Sequence, residues 1–379
     1  MTVKRILTFF IALMAVMVYS CRTDEMVFPS ENENVNGGEP LNGLAGFYLL
    51  NEGNMGSNKC TLDYYDFASG SYSRNIYAER NPTVVMELGD VGNDLGIYGS
   101  KLYAVVNCSH KVEVMDAATA VSIGRIDIPN CRYIKFHGGS AYISSYIGMV
   151  LNDPDCPDGA VFRVDTASLA ITGKVLVGFQ PEEMEIIGNH LYVANSGGYR
   201  PPEYDNTVSV IDLDTFEEMA RIPVGLNPHR VKKDDYGRLW VNSQGNRADV
   251  PSRLMVMSPG PGTKILTKVD TVDIPVSNFA VKGDSILYFS GVGTARPAYG
   301  IIDARTLEKI SDGFITDGTD SKIKMPYGIA VNPLTGDIYV TDARNYVSSG
   351  TLYCFSPDGR MRWSVRTGDI PASFAFREY

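Results

Sequence analysis

A chain of 379 residues has room for two or three domains, or for one large all-β barrel or propeller. With 44% hydrophobic and 21% charged residues it holds ample material for a core, which excludes wholesale disorder. Its 34 Lys+Arg against 44 Asp+Glu leave a net charge of −10, which repels phosphate backbones and argues against nucleic acid as a partner.

Lys4 and Arg5 precede an unbroken apolar run, Ile6 to Tyr19, too short to cross a bilayer core of ~30 Å as a helix. Residues 1–20 therefore read as a signal peptide. The run ends Val18-Tyr19-Ser20-Cys21, a small residue directly before a cysteine, which resembles the lipobox of bacterial lipoproteins and departs from it at Tyr19. Cys21 is the expected lipidation site and anchor to the membrane. Arg22-Thr23-Asp24-Glu25 follows, and acidic residues there resemble the surface-export signal of Bacteroidetes lipoproteins, so the predicted location is the outer membrane, facing outward. Residues 21–43 are polar and poor in large apolar side chains, a composition that predicts a flexible tether.

From residue 44 to 379 the chain repeats. Ser100-Lys101-Leu102-Tyr103-Ala104-Val105-Val106-Asn107, Asn189-His190-Leu191-Tyr192-Val193-Ala194-Asn195 and Gly237-Arg238-Leu239-Trp240-Val241-Asn242 share a turn residue, a short apolar strand marked by an aromatic, and then Asn. Tyr48, Tyr142, Tyr288 and Tyr339 mark further copies, making seven. Each copy carries four short strand patterns, the third closing on an Asp (Asp66, Asp116, Asp165, Asp212, Asp303) suited to hold the next turn. Four antiparallel strands per copy predict an all-β, seven-bladed β-propeller. Pro371 to Phe376 reads as an innermost strand with no blade of its own, and Gly46 to Leu50 as a second strand lacking a first. The two ends are expected to complete one blade and close the ring.

The stretch between the second and third strands varies most in length, and in a propeller those loops share a face with the blade-to-blade connections, so that face is the expected binding surface. Its loops are rich in Tyr, Arg and Asn, the residue types that recognition surfaces enrich. Aligning the copies also puts one pair per blade around the channel mouth: Asn93-Asp94, Arg132-Tyr133, Glu182-Glu183, His229-Arg230, Ser277-Asn278, Tyr327-Gly328 and Ala372-Ser373. This ring is not uniform, which suits one asymmetric ligand lying across the mouth. From the ring and loops the predicted ligand-binding residues are Asn93, Asp94, Arg132, Tyr133, Tyr146, Phe179, Gln180, Tyr199, Tyr204, His229, Arg230, Asn246, Arg247, Ser277, Asn278, Arg296, Tyr299, Tyr327 and Arg344.

The chain lacks Gly-x-Ser-x-Gly, His-Glu-x-x-His, Gly-x-x-x-x-Gly-Lys and Cys-x-x-Cys, so no nucleophile, metal, phosphate or redox motif marks an enzyme, and neither a cofactor nor a metal is expected. Glu182-Glu183 reads as a solvated rim pair, with acid/base groups or Ca²⁺ ligands of a lactonase-like hydrolase as the alternative. Past Cys21 come Cys60, Cys108, Cys131, Cys156 and Cys354, an odd number without zinc spacing. One disulfide among Cys108, Cys131 and Cys156 suits an oxidising exterior.

The run Leu191-Tyr192-Val193-Ala194-Asn195-Ser196, Val208-Ser209-Val210-Ile211-Asp212, Ile222-Pro223-Val224-Gly225 and Asn227-Pro228 resembles the blade consensus of YncE-like seven-bladed propellers. Joined to the lipobox and acidic export signal, the chain is similar to the Bacteroides surface lipoproteins that bind cobalamin. That resemblance implies capture of a corrinoid, as a transported ligand and not a cofactor, and transfer to a TonB-dependent outer-membrane transporter. The same Tyr, Asn and Arg inventory would also serve a glycan, and a protein-interaction scaffold is the third alternative.

Overall fold

The computed structural model describes residues 30–82, 84, 87–148, 157–246, 248–292 and 296–379. The strands form seven antiparallel sheets arranged as the blades of a β-propeller. The innermost strands, taken from blade 1 to blade 7, are Pro371–Glu378, Gly92–Tyr98, Cys131–His137, Pro181–Ile187, Pro228–Lys233, Asn278–Lys282 and Pro326–Val331. Blade 1 is built from both chain ends. Its second strand, Leu44–Asn51, pairs with Pro371–Glu378 in a register that sets Phe47 opposite Phe376 and Leu49 opposite Phe374.

Blade 1 also has a fifth strand. Glu31–Asn34, inside the stretch read as tether, pairs with the outer strand Ser71–Arg74. An outer strand leaves a row of N–H and C=O groups open to water, and an extended polar segment can pair with them without any apolar side chain to bury. The signal peptide, Cys21 and the acidic export residues lie outside the described residues.

The seven marker aromatics lie on the second strands and are buried where one blade meets the next. Seven apolar clusters result, each spanning two neighbouring blades; Phe47, Tyr65, Tyr339 and Trp363, for example, join blade 7 to blade 1. Polar tips find partners across the same seams: Tyr48 Oη donates to the Ala117 carbonyl at 2.9 Å, and Tyr192 Oη accepts from Leu266 N at 3.1 Å. Burial of one such ring contributes roughly 1.5–3 kcal/mol, so the seams carry much of the stability. The Asp residues that close the third strands hold the next hairpin, as Asp212 does by accepting from the Asp214 and Thr215 amides at 2.9 Å each.

Cys108 and Cys131 are free thiols, and Cys131 Sγ donates instead to the Lys111 carbonyl at 3.3 Å. The disulfide expected among Cys108, Cys131 and Cys156 therefore does not join the first two, and Cys156 lies outside the described residues.

Candidate functional site

A repeated backbone irregularity places the site residues. In blade 4, Pro181 pairs with Asn195 and Met184 with Val193, so Glu182 and Glu183 together face the single residue Ala194. Blades 3, 5 and 7 show the same two-against-one bulge at Arg132-Tyr133, His229-Arg230 and Tyr327-Gly328, and blades 1 and 2 carry related shifts. A bulge frees a backbone amide and turns consecutive side chains toward one side. Second-strand side chains take up the freed amides: Ser144 Oγ accepts from Tyr133 N at 3.1 Å, Asn242 Oδ1 from Arg230 N at 2.6 Å, and Thr341 Oγ1 from Gly328 N at 2.7 Å. At Gly328 a side chain would meet the Ala372 carbonyl at 2.4 Å, so only glycine lets blade 7 approach blade 1 this closely.

At the loop-face end the inward side chains form a buried, bonded layer. Arg132 donates from Nε and Nη2 to Glu182 Oε2 at 3.1 and 2.9 Å, and its guanidinium lies 4.8 Å above the Tyr146 ring. Tyr146 Oη donates to the other Glu182 oxygen. Burial favours the neutral form of Glu182, but Arg132 and His229 beside it and these hydrogen bonds outweigh burial and hold its pKa below the ordinary value. His229 Nε2 stands 3.6 Å from Glu182, yet burial pushes the imidazole down to about 4, leaving it neutral near pH 7. Arg230 Nη1 donates to Tyr133 Oη at 2.8 Å, and Tyr327 Oη donates to Glu52 Oε2 at 2.8 Å. Burial lifts Glu52 to about 7 against that hydrogen bond, which lowers it.

A second layer of mixed exposure rests on the first: Tyr199 is exposed, Phe179 and Tyr346 are half-buried, and Arg200 is buried. The Tyr199 ring, 44% exposed, meets Tyr146 edge-on at 6.3 Å, and its amide donates to Gln180 Oε1 at 2.6 Å. The Arg200 guanidinium stacks 3.6 Å from the centre of the Phe179 ring, and Tyr346 meets Tyr327 edge-on at 5.8 Å. Arg296 and Arg344 are exposed, and Tyr204 is half-buried.

Several predicted contact residues take structural positions instead. Tyr133, Tyr146 and Gln180 are 2%, 1% and 0% exposed, so they support the face without offering it a ring or amide. Tyr299 sits in the core between Phe289 and Phe314, because its strand alternation turns it into the blade 6–7 seam. Asn246 spends its side chain on its own loop, accepting from Ala248 N and Val250 N and donating to Asp249. Asn93 donates to the Arg132 carbonyl at 2.7 Å and Asn278 to the Tyr327 carbonyl at 2.9 Å, so each braces the next blade while lining the channel. Asp94 accepts from Ile134 N at 3.0 Å and Ser373 Oγ at 2.9 Å. Glu182 and Glu183 are buried and ion-paired, not a solvated rim, since the bulge turns both inward. Arg247 lies outside the described residues.

Beneath the bonded layer the channel widens into a cavity of ≈ 340 Å³, lined in part by residues of the predicted mouth ring, among them Asn93, Asp94, Glu183, Arg230, Asn278 and Ser373. Blades 2 to 5 supply its charged wall: Asp94, Lys135, Glu183, Glu185, Arg230, Lys232 and Lys233. Blades 6, 7 and 1 supply an uncharged wall that includes Val281, Ile329, Phe374 and Phe376. Glu183 accepts from Val231 N at 3.0 Å and from Lys232 Nζ, and Lys232 and the other nearby cations overcome the effect of burial to hold it down to about 2. Lys135, Lys232 and Glu185 stand two or three positions beyond the mouth pairs, where alternation along a strand would have pointed to them. Glu52 had no such signal, because it comes from a loop of blade 1 and meets a residue of blade 7.

The family model described as a domain of unknown function, DUF5074, matches residues 45–356. The chain belongs to that family. No curated protein matches it in sequence. Among solved structures it is similar to a hypothetical selenium-binding protein from Sulfolobus tokodaii, with 11% identity, a TM-score of 0.63, and coverage of 89% of this chain and 94% of that one. A quinonprotein alcohol dehydrogenase-like protein from Bacteroides thetaiotaomicron matches with 14% identity, a TM-score of 0.58, and coverage of 88% and 78%. A functionally unknown protein from Desulfotomaculum acetoxidans matches with 9% identity, a TM-score of 0.59, and coverage of 87% and 98%. Identities this low establish the propeller fold for this DUF5074 chain and nothing about its chemistry.

Proposed function

We propose that this DUF5074 propeller is a surface lipoprotein, anchored through Cys21, that captures a corrinoid on its loop face and passes it to a TonB-dependent outer-membrane transporter. The observation that carries this reading is the two-layer construction of that face. A buried network of Arg132, Glu182, Tyr146 and Tyr133 supports an outer layer of Tyr199, Phe179 with Arg200, and Tyr346, flanked by Arg296 and Arg344. A preorganised outer layer loses little entropy on binding, and its mixture of rings and guanidiniums suits a large amphipathic ligand. A corrinoid presents a broad ring fringed by amides, a nucleotide loop and one phosphate, and is too large for the ≈ 340 Å³ channel cavity. The resemblance to BtuG, the cobalamin-capturing lipoprotein of Bacteroides, points the same way.

Capture without turnover is the accompanying proposal. Glu182 and Glu183, the pair a lactonase-like hydrolase would use, are each committed to a cation and to further hydrogen bonds, which favours a supporting role for both. Calorimetry with cyanocobalamin tests the reading. Uptake from dilute surroundings calls for nanomolar binding or tighter, about −12 kcal/mol. Absence of heat and of co-migrating cobalamin at micromolar protein would end the corrinoid reading, and heat from a glycan panel in its place would move the face to carbohydrate.

A further inference from the structure

Arg230 joins the bonded layer to the cavity beneath it: its guanidinium bonds a residue of that layer, and Arg230 itself lines the cavity. Among the described residues its one side-chain hydrogen bond goes to a neutral partner, the Tyr133 hydroxyl, whose ring centre is 5.3 Å away. An arginine has five N–H donors in a planar fork. The nearby carboxylates are already engaged: Glu183 by Val231 N and Lys232, Asp94 by Ile134 N and Ser373, and Glu52 by Tyr327. Among the described residues none of them stands within ion-pair distance of Arg230. Further along the same wall, Glu185 is shared by Lys135 at 3.2 Å and Lys233 at 3.7 Å. The lining thus holds four cations to three carboxylates, although the chain as a whole is at −10.

The opposite wall is apolar where Ile329, Phe374 and Phe376 face the charges. From Arg230 to Lys233 the strand advances roughly 10 Å, and Lys233 at the far end is 57% exposed, so the cavity meets solvent on the face opposite the variable loops. Its volume of ≈ 340 Å³ is that of a small-molecule pocket.

We propose that this cavity is a second binding site, taking a small monocarboxylate with a short apolar or aryl body. The carboxylate lies on the fork of Arg230, where paired N–H···O contacts are strong, and the body lies along Ile329, Phe374 and Phe376. Entry is from the face away from the loops.

Fluorine NMR titration of 4-fluorobenzoate into the full mature protein is the test. Saturable one-to-one binding is expected, weakened about tenfold or more in Arg230→Gln, with 4-fluorobenzyl alcohol, the same body without the charge, weaker than the acid by a similar factor. Because Arg230 also supports Tyr133, Ala330→Phe is the second variant. It keeps every charge, narrows the cavity, and is expected to abolish binding while the melting transition is retained. A non-saturable titration, an alcohol that binds as well as the acid, or a folded Ala330→Phe protein that binds as wild type would each overturn the proposal. Cyanocobalamin calorimetry on the same variants reads the loop face separately.

Discussion

The two ends of the central channel are lined by the same inner strands and have opposite characters. At the loop-face end Arg132, Tyr146, Glu182 and His229 are drawn together into a buried, bonded cluster. A few ångströms along the same strands, Glu183, Lys232, Lys135 and Glu185 line an open cavity faced by Phe374 and Phe376. Glu182 and Glu183 are adjacent in sequence and serve different ends: one is tied to an arginine that is 12% exposed, the other to a lysine that is 32% exposed and can still reach water. The bulge that begins the inner strands makes this division, because it turns two consecutive residues inward where a regular strand would alternate them.

Opening the ring should have the largest effect. Deleting Pro371 to Tyr379 removes the inner strand of blade 1 and the Phe374 and Phe376 contacts with Phe47. Both ends of the channel should be lost together, with no cooperative melting transition; a truncated protein that melts as the full chain does would refute this closure.

Next in size are the two glutamates. Glu182→Ala strands a buried guanidinium and should cost about 3–5 kcal/mol in urea unfolding, whereas Glu183→Ala should cost about half as much because Lys232 can turn to solvent. Equal losses would mean that the two ends are not energetically distinct.

Stability against pH should sharpen the contrast, since the two ends bend the profile in opposite directions. Glu52 has its folded pKa raised from 4.5 to about 7, so the folded protein holds that proton more tightly than the unfolded chain; its contribution is complete at low pH and lost as pH rises through about 7. Glu183 has its folded pKa lowered from 4.5 to about 2, so its contribution is complete above about 4.5 and lost as pH falls toward 2. Glu52→Gln should flatten only the neutral flank and Glu183→Gln only the acid flank of a chemical-denaturation series.

The smallest effect on folding belongs to the outer layer. Tyr199→Ala should change stability by no more than ~0.5 kcal/mol and yet weaken cyanocobalamin by about 2 kcal/mol, as an anchoring ring would. Unchanged calorimetric affinity in this variant would remove Tyr199 from the proposed face.

Much of the fold was legible without coordinates. The recurring aromatic-marked strand counted the blades, the Asp residues marked the hairpins, and the unmatched strands at Pro371 and Gly46 disclosed how the ring closes. These features are local: each copy states its own strands, and stacking of identical units follows from the need to bury both faces. The site was only half legible. Alignment of the copies named the residues that begin each inner strand, but not which would be buried.

That depth was decided in three dimensions. Tyr133 and Tyr146 read as ligand-stacking rings until Arg230 and Glu182, from other blades, met their hydroxyls. Glu52 and Tyr327 stand far apart in the chain and touch only because the ring closes. Glu31–Asn34 read as tether because its composition lacks anything to bury, and it is ordered by a neighbouring strand edge that composition does not record. A sequence pattern determines which elements form and how many there are, because those preferences act over a few residues. Which side chains meet across an axis shared by seven blades is set by the closure of the ring, and that closure brought together the bonded layer and the cavity that Arg230 joins to it.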